Sequence, residues 1–381
     1  MLRRAKCLYG VILGHGSLGQ LQSTSRYRSY RKINGADDDG RRKREEGQDG
    51  YLQLHKSKGQ HLLTNQRILD SIVRKSAIKP TDTVLEIGPG TGNLTLKLLE
   101  AAKSVVAVEI DKRMVEVLQK RVAECGVQDR LTVICKDALK AEFPPFDIVV
   151  ANIPYGISSP LVAKLVYGAR SFRSATLLLQ KEFARRLMAK PGDSEFNRLA
   201  VNVKLVANVE FVMDVSKREF VPCPKVDSSV VIIRPKAEVP NVNLDEWSAF
   251  TKACFGNKNK TLGATFKQKK KVMELLRLSK LAGSNGETDN YICSNDDNWD
   301  GGESDEEELS SSSCSEMGAS SFKEKLMGVL KSADFEDKRP SKLSNEELLH
   351  LLALFNQAGI YFHDQSKSRN AENESFSVAY C

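Results

Sequence analysis

The feature that most constrains this fold is a series of five short apolar runs, rich in β-branched residues and spaced along the first half of the chain. The runs are TVLEIG (83 to 88), SVVAVEI (104 to 110), LTVICKD (131 to 137), DIVVANI (147 to 153) and ATLLLQ (175 to 180). Amphipathic helical stretches separate the first three. Strands that alternate with helices predict a parallel sheet covered on both faces, with a ligand crevice at the carboxyl ends of the strands.

The first run leads into a glycine-rich turn, EIGPGTGNLT (86 to 95). Its glycines, Gly88, Gly90 and Gly92, permit a tight turn and a close approach of the backbone to a ligand before a helix begins. The pattern differs from the dinucleotide-binding fingerprint, because Asn93 stands where a third glycine would allow close packing of the helix. The turn therefore indicates a nucleotide-like ligand without specifying which one.

The next two runs each end in a carboxylate. Glu109 closes the second run, where it can accept hydrogen bonds from ribose hydroxyls, and Asp137 closes the third, where it can accept one from an adenine amino group. Three matching strand ends favour a cofactor that contains adenosine. Nicotinamide and flavin cofactors remain open at this point.

The fourth run ends in NIPYG (152 to 156). The Asn152 side-chain oxygen and a main-chain carbonyl of the turn could accept both hydrogens of an exocyclic ring amine, and this would direct its lone pair toward a methyl donor. Pro154 stiffens the turn, and Tyr155 offers a face for base stacking worth roughly 1 to 3 kcal/mol. An isolated Asn-Pro turn is usually structural, but at the fourth strand of this sheet the segment predicts a holder for an aromatic amine.

Several blocks resemble one known family, the rRNA adenine dimethyltransferases of the KsgA type, especially its eukaryotic branch. The resemblance extends from about residue 54 to about residue 359. The blocks are KSKGQHLLTN (56 to 65), EIGPGTGNLT, VEID (108 to 111), KDAL (136 to 139), NIPYGISSPL (152 to 161), FVPCPKVDSSVV (220 to 231) and CFGNKNKTLGATFKQK (254 to 269). His61 and Leu62 stand where bacterial members tend to have Asn and Phe.

The resemblance implies a fold, a cofactor and a substrate. The fold is an α/β, Rossmann-like class I S-adenosylmethionine-dependent methyltransferase sheet with a smaller C-terminal helical domain. The substrate is small-subunit rRNA, alone or in a pre-ribosomal particle, in which two adjacent adenosines of a hairpin loop near the 3′ end each receive two methyl groups. The implied cofactor-binding residues are His61, Leu63, Gly88, Gly90, Glu109, Asp137 and Asn152. The implied catalytic residues are Asn152, Pro154, Tyr155 and Phe220, with Phe220 sandwiching the base against Tyr155.

The N-terminal segment has a charge pattern unlike the rest of the chain. Residues 1 to 36 contain seven Lys or Arg and no Asp or Glu, which is the acid-poor, Arg- and Ser-rich composition of an organelle transit peptide. We predict a mitochondrial destination, with the chloroplast as second choice. A disordered basic arm, with a nucleolar or cytoplasmic location, is the alternative. Residues 37 to 53 are predicted to be a linker.

The remaining boundaries follow from composition. Residues 281 to 322 contain eleven Asp or Glu and no Lys or Arg, and so acidic a segment has too little apolar content to fold. We predict a methyltransferase domain over 54 to 238 and a helical RNA-binding domain over 239 to 361. The second domain would carry a disordered acidic insertion at 283 to 320, and 362 to 381 would be a flexible tail.

A group of six lysines, here named the lysine block, predicts the surface that tracks RNA phosphates. A solvated helix face is the simpler interpretation of any one of them. The lysine block consists of Lys258, Lys260, Lys267, Lys269, Lys270 and Lys271.

Composition narrows the remaining possibilities. The eight cysteines form no CxxC pair, so we predict reduced thiols and no metal site. No apolar run reaches about 18 residues, so we predict no membrane span. We also expect the protein to be a monomer. The formal net charge of +8 suits a polyanionic partner. A methyltransferase acting on DNA or protein glutamine, and a non-catalytic factor in ribosome assembly or organellar transcription, are the alternative functions.

Overall fold

A seven-stranded sheet forms the centre of this computed structural model, which describes residues 54, 60 to 168, 171 to 283 and 313 to 364. A short pair, β1 and β8, lies apart from the central sheet. The strands are β1 (Leu62–Leu63), β2 (Thr83–Ile87), β3 (Ser104–Val108), β4 (Leu131–Ile134), β5 (Ile148–Asn152), β6 (Ala175–Gln180), β7 (Ala207–Val215), β8 (Phe220–Val221) and β9 (Ser228–Pro235). Each of the five predicted runs contains one strand of the central sheet.

The strand order in the central sheet is β4-β3-β2-β5-β6-β9-β7. Strands β2 to β6 pair in parallel, while β9 pairs antiparallel with both β6 and β7. The carboxyl ends of β2, β3, β4, β5, β6 and β7 therefore lie at one edge of the sheet, together with the start of β9. The predicted class I methyltransferase fold is confirmed, whereas the antiparallel strands were not predicted.

Six helices cover the two faces of the sheet. They are α1 (Gln66–Lys75), α2 (Asn93–Ala101), α3 (Lys112–Glu124), α4 (Ser158–Tyr167), α5 (Lys181–Met188) and α6 (Arg198–Val206). Alternate strand residues face opposite sides, as the pleat requires: Val84 packs with α1, α2 and α3, while Leu85 packs with α4, α5 and α6. Both faces are therefore apolar, which explains why the strands are continuous hydrophobic runs.

The segment before α1 is attached to the rest of the protein by the small antiparallel pair of β1 and β8. In this pair Leu62 lies opposite Val221, and Leu63 lies opposite Phe220. The Asn65 side chain accepts hydrogen bonds from the first turn of α1 and donates one to Glu219 at 2.7 Å. Residues 60 to 65 are thereby held across the carboxyl edge of the sheet.

Five further helices follow the sheet. They are α7 (Leu244–Phe255), α8 (Leu262–Phe266), α9 (Lys269–Gly283), α10 (Ser313–Ser332) and α11 (Asn345–Gln357). Their aromatic side chains pack on the face that also carries α4 to α6, in one continuous core. A capping box between Ser344 and Glu347 begins α11, which satisfies two of the backbone N–H groups left open at a helix start.

The acidic insertion is shorter than predicted at its carboxyl end. Residues 313 to 320 belong to α10, because Phe322, Leu326 and Leu330 recur at helical spacing and are buried. Residues 284 to 312 lie outside the described residues, as do the predicted transit peptide, the whole of the predicted linker and the tail after residue 364. The described residues from 54 to 364 fall into one compact unit, so the division near residue 238 stays a prediction. None of the described helices is long and apolar enough to cross a membrane.

Candidate active site

A cavity opens at the carboxyl edge of the sheet, where β2, β3 and β5 end. It is lined by the predicted catalytic residues Pro154 and Tyr155 and by all but one of the predicted cofactor residues. Those cofactor residues are His61, Leu63, Gly88, Gly90, Glu109 and Asn152. The structure therefore brings together most of the side chains that the sequence had suggested from separate motifs.

Two glycines of the turn after β2 let the backbone pass close to its neighbours. Gly90 has φ +56°, and a Cβ atom at this position would lie 2.7 Å from a methyl carbon of Leu62. Gly88 has φ +69°, and a Cβ there would lie 3.2 Å from the Pro154 ring. Any side chain at Gly90 would therefore push residue 62 away from the cavity as well as strain the backbone.

Asn93, which replaces the third glycine of a dinucleotide fingerprint, holds the N-terminal segment in place. Its Nδ2 donates to the Leu63 carbonyl at 2.9 Å, and its Oδ1 accepts from Arg121 of α3 at 2.9 Å. Arg121 also donates to the Thr91 carbonyl. The departure from glycine thus has a structural reason that the sequence alone did not reveal.

Glu109 stabilises the turns on both sides of the cavity. Its Oε1 accepts from the backbone N–H groups of Ile110 and Asp111 at 2.9 and 3.0 Å, and its Oε2 accepts from Gly90 N at 3.2 Å. Oε2 therefore retains capacity for one more donor, such as a ribose hydroxyl. Burial raises the pKa of Glu109, although these three hydrogen bonds act in the opposite direction.

Glu86 is a second carboxyl in the cavity, and the sequence reasoning missed it. It is 1% exposed, its Oε2 has no hydrogen-bond partner among the described residues, and burial raises its pKa to about 8. The neighbouring Glu109 charge adds to this effect. A hydrogen bond from the Thr95 side chain acts in the opposite direction. A buried carboxyl with one unpaired oxygen and a second carboxyl beside it fits a ligand with positive charge, such as the ammonium and sulfonium groups of S-adenosylmethionine.

The orientation of the Asn152 amide is set by the N-terminal segment. Asn152 Nδ2 donates to the His61 carbonyl at 3.2 Å. An amide that donates through its nitrogen presents its oxygen on the other side, so Oδ1 can accept a hydrogen bond from a ligand. Asn152 lies at the end of β5 and lines the same cavity as Gly88 and Glu109.

Tyr155 is held by contacts to its hydroxyl and to its ring. Its hydroxyl lies 2.9 Å from Ser228 Oγ, and its ring stacks on that of His61 with centroids 5.9 Å apart and an angle of 26°. Burial raises the pKa of Tyr155, which keeps the phenol neutral at physiological pH. The ring is therefore a fixed, uncharged platform beside Asn152.

The His61 side chain was predicted only as a cofactor contact, but it also joins two distant segments. Its Nδ1 lies 2.7 Å from the Pro222 carbonyl. Because a carbonyl can only accept, Nδ1 must carry the hydrogen. His61 thus bridges Tyr155 and the segment after β8 through its ring, and contacts Asn152 through its backbone.

Two predicted site residues lie outside the lining of the cavity. Asp137 follows β4 and is half-buried, and its Oδ1 accepts from Leu139 N at 2.9 Å. Phe220 is 2% exposed and belongs to the core cluster beneath β1. Its proposed stacking on a base would require the ring to leave that cluster, and it stays a prediction.

Comparisons with known proteins identify relatives over most of the chain. The family model described as ribosomal RNA adenine dimethylase matches residues 51 to 288. The chain is 65% identical to the ribosomal RNA small subunit methyltransferase, mitochondrial, of Arabidopsis thaliana, over 88% of this chain and 87% of that protein. It is 51% identical to the Arabidopsis ribosomal RNA small subunit methyltransferase, over 82% of this chain and 93% of the other.

A solved structure matches the fold as well. The crystal structure of a dimethyladenosine transferase from Plasmodium falciparum superposes with a TM-score of 0.66 at 39% identity. The match covers 79% of this chain and all of the other.

Proposed function

Because the chain belongs to the ribosomal RNA adenine dimethylase family, we propose that it dimethylates the exocyclic amines of two adjacent adenosines in a hairpin loop near the 3′ end of small-subunit rRNA. The cofactor is S-adenosylmethionine, which supplies a methyl group carried on a sulfonium sulfur. The roles assigned below to individual residues are part of this proposal.

The observation that carries the proposal is the orientation of the Asn152 amide. Its nitrogen is engaged by the His61 carbonyl, so its oxygen is available to accept a hydrogen from the adenine amine beside the cofactor cavity. The Pro154 carbonyl already accepts from Ile157 N at 3.1 Å, and its second lone pair could accept the other hydrogen. Holding the amine in this way requires no strong base, since alignment of the reacting atoms is itself a large part of catalysis.

Tyr155 supplies the surface on which the target adenine stacks. Stacking on an aromatic ring contributes roughly 1 to 3 kcal/mol per base, and the Ser228 and His61 contacts fix the ring before the base arrives. Adenines in a hairpin loop are already partly unstacked, so extruding one costs less than from a duplex.

A basic groove extends along the same edge of the sheet, beyond Tyr155. Its four basic residues are Lys181 and Arg185 on α5, and Lys217 and Lys225 on the segments between β7 and β9. The groove also contains the acidic residues Glu182 and Asp227. Among the described residues, Lys181 pairs with Asp214 at 2.6 Å, whereas Arg185, Lys217 and Lys225 form no ion pair.

The position of this basic groove suits an RNA backbone. Asp227 in its wall directly precedes Ser228, the partner of the Tyr155 hydroxyl. Cofactor residues occupy the β3-β2 side of the edge, Asn152 lies on β5, and the groove lies beyond it on the β6-β9-β7 side. Phosphates bound in the groove would therefore flank a base placed on Tyr155, while the cofactor approaches from the opposite side.

Part of the lysine block, by contrast, is already engaged within the protein. Lys267 pairs with Glu336 at 2.8 Å and Lys271 with Glu274 at 2.7 Å, while Lys258 donates to the Ser194 carbonyl at 2.7 Å. The two carboxylates offset the charge of their lysines, and the carbonyl occupies one donor of Lys258, so less of the lysine block is available to phosphates. We therefore assign the principal phosphate contacts to the basic groove and a secondary role to the lysine block.

The mitochondrial prediction is confirmed by the relative that is 65% identical, since that protein is named as mitochondrial. The other Arabidopsis relative, whose name mentions no cell compartment, is less similar to this chain, at 51% identity. Residues 1 to 50, which lie outside the described residues, are expected to direct a fluorescent reporter to mitochondria. A diffuse cytosolic or nucleolar signal would contradict their assignment as a transit peptide.

A direct test uses the purified full-length protein, radiolabelled S-adenosylmethionine and a synthetic hairpin with two adjacent loop adenosines. We expect two methyl groups on each adenosine and none when both are replaced by inosine, which lacks the amine. A DNA duplex and a glutamine-containing peptide test the alternative methyl acceptors in the same assay. Transfer to either of these but not to the hairpin would overturn the proposal, and so would the absence of transfer to all three.

A further inference from the structure

A single lysine side chain holds the loop that follows β4. Lys164 of α4 donates from its Nζ to three backbone carbonyls, those of Ala138 and Leu139 at 2.9 Å and that of Ala141 at 2.6 Å. An ammonium group has three hydrogens, so three acceptors satisfy it completely. These are charge-assisted bonds, which are stronger than those between neutral groups.

The same loop surrounds Asp137. The Asp137 carbonyl accepts from Lys140 N at 3.0 Å and from Ala141 N at 2.8 Å, and its side-chain Oδ1 accepts from Leu139 N at 2.9 Å. Leu139 and Ala141 therefore direct their N–H groups to Asp137 and their carbonyls to Lys164. Four residues of backbone connect the lysine to the carboxylate, and rotation of these peptides would move both.

The environment of Lys164 indicates that this arrangement is built into the fold. The Phe143 ring lies 4.5 Å from Nζ, and Ala138 and Ala141 are buried. Burial lowers the pKa of Lys164, while the nearby Asp137 and Glu142 carboxylates favour its charged form. The helix that carries Lys164 starts at Ser158, directly after the turn that contains Asn152 and Tyr155.

We propose that Lys164 is a positioning residue that sets the selectivity of the cofactor site for adenine, by fixing the loop from which Asp137 reaches the adenine amino group. This inference rests on the proposed function, which assigns Asp137 to that amino group. The Oδ2 atom is the part of the carboxylate left for the ligand, since Oδ1 is bound to Leu139 N. The lysine thus acts through Asp137 and does not touch the cofactor.

A matched control exists elsewhere in the same protein. Lys204 of α6 donates to the consecutive carbonyls of Met188 and Ala189, and burial lowers its pKa as well. Lys204 does not line the cofactor cavity. A substitution at Lys204 therefore reproduces the loss of a half-buried lysine that binds backbone carbonyls, without touching the Asp137 loop.

The test measures binding by calorimetry to the full-length protein. The probes are S-adenosylhomocysteine and its inosine analogue, in which a carbonyl oxygen replaces the adenine amine. For Lys164→Met we expect S-adenosylhomocysteine to bind about 10-fold more weakly or worse, and the preference for the adenine probe to shrink by a similar factor. Lys204→Met should leave both affinities within about 2-fold of wild type.

Further arms keep the test decisive. Lys164→Arg retains both charge and donors and should restore the preference for the adenine probe, which covers the case in which the Met variant does not fold. A folded Lys164→Met protein that discriminates between the two probes as well as wild type does would overturn the proposal. A folded Lys164→Arg protein that has lost this discrimination would overturn it as well. Wild type that discriminates but transfers no methyl group to the hairpin would contradict the proposed function alone.

Discussion

The buried carboxyl of Glu86 makes the stability of the protein depend on pH in a defined direction. In the folded state its pKa is raised to about 8 from an ordinary value of 4.5. Between these two values the folded protein keeps a proton that the unfolded chain has released, so the free energy of unfolding falls as pH rises. The contribution is fully present below pH 4.5 and is lost as pH rises through the folded pKa.

The magnitude follows from the size of the pKa shift. Within the window the slope approaches about 1.4 kcal/mol per pH unit, and a rise from pH 6 to pH 8 removes about 2 kcal/mol of stability through this one group. Glu86→Gln cannot ionise and should lose this dependence. The variant should therefore gain stability relative to wild type as pH increases, and the gain should level off above pH 8.

Urea denaturation at pH 6 and pH 8 measures this difference, with Glu116→Gln as the control because Glu116 is an exposed carboxyl on α3. Repeating the measurement with S-adenosylmethionine should show a stabilisation that grows with pH in wild type and not in Glu86→Gln, since a bound ammonium favours the ionised carboxyl. If the difference in the free energy of unfolding between wild type and Glu86→Gln were the same at pH 6 and pH 8, the assignment of a raised pKa to Glu86 would be refuted.

Three further outcomes follow from the same site. Asn152→Ala should reduce single-turnover methyl transfer by about 100-fold or more while S-adenosylhomocysteine still binds, because the lost acceptor aligns the amine only during reaction; a rate within severalfold of wild type would contradict this role. Tyr155→Phe keeps the stacking face and should stay within severalfold of wild type, whereas Tyr155→Ala should lose roughly 10- to 100-fold in hairpin methylation; equal rates for the two variants would exclude stacking. Replacing Lys217 and Lys225 by Ala should flatten the slope of log K for hairpin binding against log salt by up to about 1.4, because each lost contact contributes about 0.7. Replacing the two ion-paired lysines of the lysine block, Lys267 and Lys271, should change this slope less. A larger change for Lys267 and Lys271 would place the phosphate contacts in the helical region.

The sequence predicted the parallel part of the sheet well, because the signal is local. Each predicted apolar run contains a strand, and the motifs at the ends of the strands mark the carboxyl edge. The antiparallel strands β7 and β9 escaped prediction. The half-buried strand β7 has no continuous apolar run, whereas β9 contains a buried run of four apolar residues that shows a strand but not its antiparallel pairing. Strand order is likewise a property of long-range pairing, which a single sequence does not display.

The sequence predicted most of the residues that line the site, but not the contacts that hold them in place. The His61 side chain contacts the Pro222 carbonyl, 161 residues away in the sequence. The Asn93 side chain donates a hydrogen bond to the Leu63 carbonyl, whereas in the sequence Asn93 only marked a departure from the glycine fingerprint. Glu86 lies inside an apolar run, where nothing in the sequence distinguishes a buried acid from a solvent-facing one. Lys164 similarly resembles any lysine on an amphipathic helix, and only its three carbonyl partners reveal its position.

The proposed function is that this chain dimethylates two adjacent adenosines of mitochondrial small-subunit rRNA and that the Asn152 turn aligns each amine. The most direct measurement is primer extension on that rRNA from cells that lack the gene and are complemented with wild type or Asn152→Ala, since dimethylated adenine cannot pair and stops the polymerase. We expect two adjacent stops near the 3′ end with wild type, and their loss both without the gene and with Asn152→Ala. Stops that persist without the gene, or that Asn152→Ala restores in full, would contradict the account.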